Sequence, residues 1–123
     1  MNVLNKNVLK EYNSKLRNVK YGNVLQRLKL TYNTEKPSDP YIYLDLIKVK
    51  RKCRYQGYGS KVLRDIVQFA DKHNVRVELY AANLDGTPLN ALYKFYRKNG
   101  FVLIKNNKKS LFVHRPRRRQ KKL

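Results

Sequence analysis

The 123-residue chain has one cysteine, no tryptophan and only eight acidic residues. A single cysteine, Cys53, rules out a disulfide within the chain. Together with the only two histidines, His73 and His114, it leaves too few ligands for a usual Cys/His zinc site, so we expect no bound metal. No apolar run is long enough to span a membrane and no signal peptide is recognisable. We therefore expect an intracellular, cytoplasmic protein (in the host cytoplasm if the source is viral).

The shortage of acidic residues leaves a large positive charge. Lysine and arginine number 29 against the eight acidic residues, a net charge of +21. Six basic residues lie in the segment 115–123, and without them 23 basic residues still face eight acidic ones, a net charge of +15. Such a charge attracts polyanions and repels cations. We expect a nucleic acid or nucleoprotein partner, with phosphate contacts from Arg115, Arg117, Arg118, Arg119, Lys121 and Lys122.

Hydrophobic periodicity predicts one α/β domain with a mixed central sheet flanked by helices. Hydrophobic residues make up 41% of the chain, enough for a single core. The predicted domain is 1–114, with a short N-terminal part (1–33) and a core (41–113), followed by a basic tail (115–123). The predicted helices are 3–19, 60–74 and 87–99, with Thr87 as cap and Pro88 in the first turn. The predicted strands are 23–33, 41–50, 75–80, 101–105 and 110–114, the last two as a hairpin around Asn106-Asn107.

A glycine-containing loop joins the second predicted strand to the second helix. It reads Arg54-Tyr55-Gln56-Gly57-Tyr58-Gly59-Ser60. A tight turn at this place directs backbone N–H groups towards an anion, and the helix dipole adds to the attraction. Glycine lets the main chain approach a phosphate group closely. The loop therefore predicts a phosphate-bearing ligand.

A second motif closes the third predicted helix, Phe95-Tyr96-Arg97-Lys98-Asn99-Gly100-Phe101. The strand, the loop and this helix end together resemble the GNAT acetyltransferase superfamily over about residues 42–113. The chain would be a compact and strongly basic member. Its richness in asparagine, lysine and tyrosine is typical of an AT-rich coding sequence, as in some phages and low-GC bacteria.

The resemblance implies an N-acetyltransferase whose co-substrate is acetyl-CoA. Tyr96 would be the general acid that protonates the departing thiolate, and a strand N–H near residues 47–49 would polarise the thioester carbonyl. Asp45, predicted to share a strand face with Tyr43, Ile47 and Val49, is the candidate general base, although a structural role for it is equally consistent with the sequence. Glu78 is a second carboxylate near it. The residues implied in acetyl-CoA binding are Ile47, Val49, Arg54, Tyr55, Gln56, Gly57, Tyr58, Gly59, Ser60 and Asn90.

The chain departs from the family pattern in two places. Where many members carry an asparagine seven residues before the tyrosine, this chain has Leu89; Asn90, Asn83 or neither of them takes its place. The N-terminal part is also short, which predicts an acceptor site that is open or completed by a partner.

Three functions remain open from the sequence. The first is acetyl transfer to an amine on or near nucleic acid: an aminoacyl-tRNA, a modified base or a lysine of a nucleic-acid-binding protein. The second is a catalytically inactive GNAT-fold module that binds nucleic acid or ribonucleoprotein. The third is a viral-type lysine acetyltransferase that acts on a host protein. The positive charge disfavours polyamine and aminoglycoside acceptors, because these are cations.

Overall fold

The computed structural model describes residues 4–81, 88–106 and 110–116. Within these ranges the chain forms an α/β domain with a five-stranded mixed sheet, as predicted. No helix of the described part is long and apolar enough to cross a membrane. The elements, in chain order, are α1 (Lys6–Lys15), β1 (Leu25–Asn33), β2 (Tyr41–Val49), α2 (Tyr58–Lys72), β3 (Arg76–Ala81), α3 (Leu89–Lys98), β4 (Val102–Asn106) and β5 (Ser110–His114).

The first helix begins later than the hydrophobic pattern predicts. Asn5 is its N-cap, and the Asn5 side chain accepts a hydrogen bond from the Val8 N–H at 2.8 Å. An asparagine in this position satisfies an N–H that the helix itself leaves without an acceptor. A π-helical turn, Leu16–Lys20, extends the helix. In place of the predicted helix 3–19, the structure has α1 from Lys6 to Lys15, followed by a π-helical turn that ends at Lys20.

The strand order in the sheet is β1-β2-β3-β5-β4. Only β2 and β3 run parallel, and the other neighbours are antiparallel. The parallel pairing covers just three positions, from Tyr41 opposite Arg76 to Tyr43 opposite Glu78. Both strands continue beyond these positions, to Val49 and Ala81. The two strands therefore separate after three residue pairs and leave a gap in the sheet.

A β-bulge in β2 overturns the predicted face of this strand. In β1, Lys29 pairs with Leu46 and the next residue, Leu30, pairs with Leu44, so Asp45 is an extra residue with no partner in the register. An extra residue reverses the alternation of side chains beyond it. The prediction that Tyr43, Asp45, Ile47 and Val49 share one face is therefore wrong. Ile47 and Val49 share the face of Ile42 and Leu44, and Tyr43 lies on the other.

All three described helices pack on one face of the sheet. Tyr12 of α1 stacks on Phe69 of α2 with ring centroids 3.8 Å apart. Tyr96 of α3 packs against Phe112 of β5 at 5.4 Å between centroids, on the face that Leu79 shares. The buried residues of the helices and of this sheet face form one hydrophobic core.

The opposite face of strands β1 to β3 carries polar and aromatic side chains, and no helix of the described ranges packs on it. Its residues are exposed or half-buried, in contrast to the buried side chains on the helix face. The face includes Arg27, Lys29, Thr31, Tyr41, Tyr43, Asp45, Leu46, Lys48, Arg76, Glu78 and Tyr80.

The outer edge of β1 is covered by side chains of α1. The Asn13 amide donates to the Leu28 carbonyl at 3.1 Å, and its oxygen accepts from the Leu30 N–H at 2.6 Å. Asn13 thus makes the two bonds that a neighbouring strand would make. Arg17 Nε donates to the Gln26 carbonyl at 3.1 Å. Covering an edge strand in this way removes a template for strand pairing between molecules.

The end of α3 agrees with its sequence signal, whereas its start differs by one residue. Gly100, with φ of +88°, follows α3, and the Phe101 N–H bonds to the Tyr96 carbonyl, a helix C-cap that glycine favours. At the start of α3, Pro88 is the N-cap and not a first-turn residue, because its ψ of 144° is extended. The predicted cap Thr87, the Asn107 position of the hairpin turn and the tail from Arg117 onward lie outside the described residues.

We expect Asn13→Ala to lower the free energy of unfolding by about 1–3 kcal/mol, because two part-buried backbone groups of β1 lose their partners. Urea unfolding followed by circular dichroism measures the change. Asn18→Ala is the matched control, since Asn18 is exposed and bonds only to the Ser14 hydroxyl among the contacts described. Equal, small losses in both variants would contradict the role of Asn13.

Candidate active site

A cavity of about 400 Å³ lies where β2 and β3 separate. It is bounded by the loop before α2, the start of α2 and one side of α3. Residues of both sheet faces line it: Leu44 and Ile47 from the helix face, and Asp45 and Tyr80 from the open face. The cavity therefore connects the two sides of the sheet. Its lining also includes Leu46, Lys48, Val49, Cys53, Arg54, Tyr55, Gly57, Tyr58, Gly59, Ser60, Leu79, Leu92, Phe95 and Tyr96.

The glycine loop presents backbone N–H groups at the end of this cavity. Gly57 is the N-cap of α2 with φ of +83°, a left-handed conformation that glycine adopts without strain. The N–H groups of Tyr58, Gly59 and Ser60, in the first turn of α2, have no acceptor within the helix. Together with the positive end of the helix dipole they form an anion site. The helix begins two residues earlier than predicted, which brings Gly59 into it.

Gly59 has a packing role that the sequence did not reveal. A Cβ at this position would lie 3.3 Å from Phe95 Cζ, closer than most real Cβ contacts. The absence of a side chain lets the first turn of α2 lie directly against α3. The Asn99 amide adds a polar contact to the Ser60 hydroxyl at 3.4 Å. Gly59 therefore fixes the distance between the anion site and the helix that carries Tyr96.

Arg54 joins the loop to the end of the strand. Its Nε donates to the carbonyl of Val49, the last residue of β2, at 3.1 Å. Lys61 lies over the ring of Tyr58 at 5.2 Å from its centroid. These cations raise the positive potential at the anion site while Arg54 also sets the path of the loop.

Apolar side chains line part of the cavity, beside the part of β2 that does not pair with β3. Ile47 and Val49 line it from β2, and Leu79 lines it from β3. Beyond Tyr43 the backbone of β2 has no ladder partner in β3. An extended ligand lying in the gap would find strand N–H and carbonyl groups available on this side.

Tyr96 is buried at the α3 wall of the cavity. Only 9% of its surface is exposed, and its ring packs against Phe95, Phe101 and Phe112. Burial raises the pKa of Tyr96 above its ordinary value of 10.0, because the phenolate would be poorly solvated there. Tyr96 therefore remains protonated at neutral and moderately alkaline pH, as a proton donor must.

Asp45 lies on the bulge of β2 and lines the same cavity as Tyr96 of α3. The Thr31 hydroxyl on β1 donates to its carboxylate. The Asp45 side chain is exposed, so it faces solvent at the open face of the sheet. Glu78, the alternative carboxylate, does not line the cavity, and Arg76 Nε binds it at 2.6 Å. The structure thus brings Asp45, and not Glu78, to the same cavity as Tyr96.

Several predicted residues lie away from the cavity. Asn90 is exposed in the first turn of α3 and is not part of the lining. Gln56 is exposed and donates to the Lys52 carbonyl at 3.1 Å, which stabilises the loop from outside. His73 packs against Phe69. Asn83, the other possible replacement for the family asparagine, lies outside the described residues.

The sequence analysis did not predict several other residues that line the cavity. Leu79 and Tyr80 lie at the end of β3, the parallel neighbour of β2, and that position is a signal that could have identified them. Phe95 immediately precedes Tyr96, but only the contact with Gly59 explains its place. In the described ranges, no three His, Cys, Asp or Glu side chains lie close enough together to hold a metal ion.

The family model for the Acetyltransferase (GNAT) family matches residues 24–101, more than half of the chain. The chain therefore belongs to the GNAT acetyltransferase family, and its co-substrate is acetyl-CoA. The match covers the glycine loop, the cavity and the Tyr96 helix end.

Solved structures of low sequence identity share the fold. Anti-CRISPR protein AcrVA5 is 22% identical, covering 70% of this chain and 87% of that chain, with a TM-score of 0.56. Arabidopsis thaliana Naa50, in complex with the bisubstrate analogue CoA-Ac-MVNAL, is 16% identical with a TM-score of 0.55, covering 91% of this chain and 93% of that chain. The NatC complex bound to Gag peptide and CoA is 9% identical with a TM-score of 0.58, covering 94% of this chain and 82% of that chain. No curated protein matches the chain significantly.

Two substitutions at Gly57 separate its backbone role from its place in the cavity. Gly57→Ala should cost about 1–2 kcal/mol of stability because of the positive φ. Gly57→Asn should recover most of that loss, since asparagine tolerates this conformation. Both add a side chain to the cavity lining and should weaken acetyl-CoA binding about tenfold, or ~1.4 kcal/mol.

Urea unfolding and calorimetric titration with acetyl-CoA measure the two effects. Wild-type affinity in a stably folded Gly57→Asn variant would contradict the placement of acetyl-CoA against this loop.

Proposed function

We propose that this acetyltransferase acts on an amine carried on or near nucleic acid. The observation that supports the proposal is the charge: without its basic tail the chain still carries +15. One acetyl-CoA needs only a few cations, and these are supplied around the glycine loop. The remaining charge would repel small cationic amines and attract an acceptor bound to a polyanion.

In this proposal acetyl-CoA lies along the gap between β2 and β3. Its diphosphate accepts hydrogen bonds from the N–H groups of residues 58–60, and the pantetheine arm follows the part of β2 that does not pair with β3. A strand N–H near Ile47–Val49 donates to the thioester carbonyl, which places the acetyl group beside Tyr96 and Asp45. The acceptor amine then approaches from the open face of the sheet, through the side of the cavity lined by Asp45 and Tyr80.

The acetyl thioester supplies the acyl group, and residues of this chain move the protons. The amine nitrogen forms a bond to the carbonyl carbon as the carbon–sulfur bond breaks. Tyr96 gives its hydroxyl proton to the departing sulfur, and solvent later reprotonates the phenolate. Asp45 accepts the proton that the attacking nitrogen loses, directly or through one water.

Tyr96→Phe should lower kcat by about 10²–10⁴-fold with little change in acetyl-CoA affinity, because only the hydroxyl is removed. Steady-state kinetics together with calorimetric titration measures this. Phe101→Leu is a control for packing next to Tyr96 that leaves the hydroxyl in place. Loss of acetyl-CoA binding in Tyr96→Phe, with kcat unaffected per bound enzyme, would contradict the general-acid role.

The pH dependence follows from the same group. The acid must be protonated, so activity falls only as pH rises through the pKa of Tyr96, which burial raises above 10.0. We expect kcat to show no alkaline decline below pH ~10. An alkaline decline centred well below that value, and retained in Tyr96→Phe, would assign it to another group.

The acceptor class can be tested with radiolabelled acetyl-CoA. The purified protein is incubated separately with total aminoacyl-tRNA, with deacylated RNA, and with ribosomal and cytosolic proteins. Label in a nucleic-acid or nucleic-acid-binding protein fraction, abolished by Tyr96→Phe, supports the proposal. Label only in proteins that do not bind nucleic acid, or no transfer to any fraction despite bound acetyl-CoA, would reject it.

A further inference from the structure

A second depression, of about 520 Å³, lies between α1 and the edge strand β1. Its lining includes four basic side chains, Lys6, Lys10, Arg17 and Lys29, and no carboxylate. Lys6 and Lys10 are four residues apart on one side of α1, and Arg17 lies in the π-helical turn that extends it. A concave surface lined by charges of one sign concentrates their field. We call this surface the α1–β1 groove.

The groove leads onto the open face of the sheet. Lys29 and Thr31 line the groove and also lie on that face. Thr31 is directly opposite Tyr43 on β2. The ring of Tyr43 lies 6.1 Å from the ring of Tyr80 on β3, centroid to centroid. Tyr80 is 43% exposed and lines the cavity of the acetyl-transfer site. A continuous path of cations followed by tyrosines thus runs from α1 to the cavity.

The carboxylates beside this path are both engaged. Arg76 Nε binds Glu78 at 2.6 Å, and the Thr31 hydroxyl donates to Asp45. The positive charge of Arg76 reduces the repulsion that Glu78 exerts on a nearby phosphate, whereas the neutral Thr31 hydroxyl does not offset the charge of Asp45. The exposed charges at the start of the path, on Lys6, Lys10 and Lys29, are all positive.

We propose that the α1–β1 groove and the tyrosines of the open face bind single-stranded nucleic acid. Phosphates lie along the groove, and bases stack on Tyr43 and Tyr80. Neighbouring strands are about 4.8 Å apart, and Tyr80 lies two residues beyond Glu78, the partner of Tyr43. The distance from Thr31 to Tyr80 is therefore at least about 12 Å, which accommodates two nucleotides. Stacking requires unpaired bases, which excludes an intact duplex from the tyrosines. The path directs one end of the bound strand towards the cavity, and this role rests on the proposed function.

Binding is measured by fluorescence anisotropy with labelled 12-nucleotide single strands of mixed sequence, one RNA and one DNA. A blunt duplex and poly-glutamate are the competitors. The groove variant is Lys6→Gln/Lys10→Gln/Lys29→Gln. Its matched control is Lys72→Gln/Lys94→Gln/Lys98→Gln, which removes the same charge from exposed positions on α2 and α3. Tyr80→Leu tests stacking.

We expect the groove variant to bind either single strand at least tenfold more weakly and the control variant no more than about twofold. The logarithm of the binding constant decreases with the logarithm of salt concentration. The steepness of this decrease should be smaller by about 2 in the groove variant, because three phosphate contacts are lost. Tyr80→Leu should weaken single-strand binding about tenfold and duplex binding much less. The ratio between the RNA and DNA strands identifies which of the two the surface prefers.

Equal weakening in the groove and control variants would overturn the proposal in favour of general charge attraction. If poly-glutamate competes as well as RNA and Tyr80→Leu has no effect, the surface binds an acidic protein and the proposal is overturned. The assay needs no acetyl-CoA, so it stands apart from the transfer reaction. Binding without acetyl transfer would reject only the acceptor class, and acetylation of RNA unaffected by the groove variant would reject only this surface.

Discussion

The separation of β2 from β3 is the constraint on which the rest of the site depends. Three parallel residue pairs hold the strands together, and the bulge at Asp45 lies directly beyond the last of them. A bulge bends the strand that carries it, which is consistent with the separation of β2 from β3 at this point. Without that gap the sheet would be a closed layer, with the glycine loop on one side and the open polar face on the other. Because the gap exists, a donor held at the α2 N-terminus and an acceptor on the opposite face can meet inside one cavity. The backbone, more than any single side chain, creates the site.

Much of the fold was predictable because its signals are local. The order of helices and strands, the glycine loop before α2 and the Gly100 end of α3 follow from short patterns of glycine and apolar residues. The bulge was not predictable in this way. Period-two alternation assumes a regular register, so it placed Ile47 on the wrong face. Contacts between distant segments were also hidden: Phe95 against Gly59, and Asn13 on the edge of β1, join residues 36 and 15–17 positions apart.

Placing all three described helices on one face divides the domain into two chemical environments. The helix side supplies the apolar core, the buried phenol of Tyr96 and the dipole of α2. The other side of β1 to β3 keeps its tyrosines, arginines and lysines near solvent. Low dielectric on the helix side keeps the phenol of Tyr96 protonated, while the hydrated side suits the large, charged acceptor of the proposed function.

The Asn13 amide also bears on how the protein behaves before it meets any ligand. A strand edge that is open to solvent can recruit another copy of itself, and such pairing grows into polymers. A single side chain that mimics both bonds of an adjoining strand ends the sheet at β1. A compact domain can therefore omit further strands without becoming prone to self-assembly. In the proposed function, copies would accumulate side by side on a polyanion, and this closure would keep such crowding from leading to aggregation.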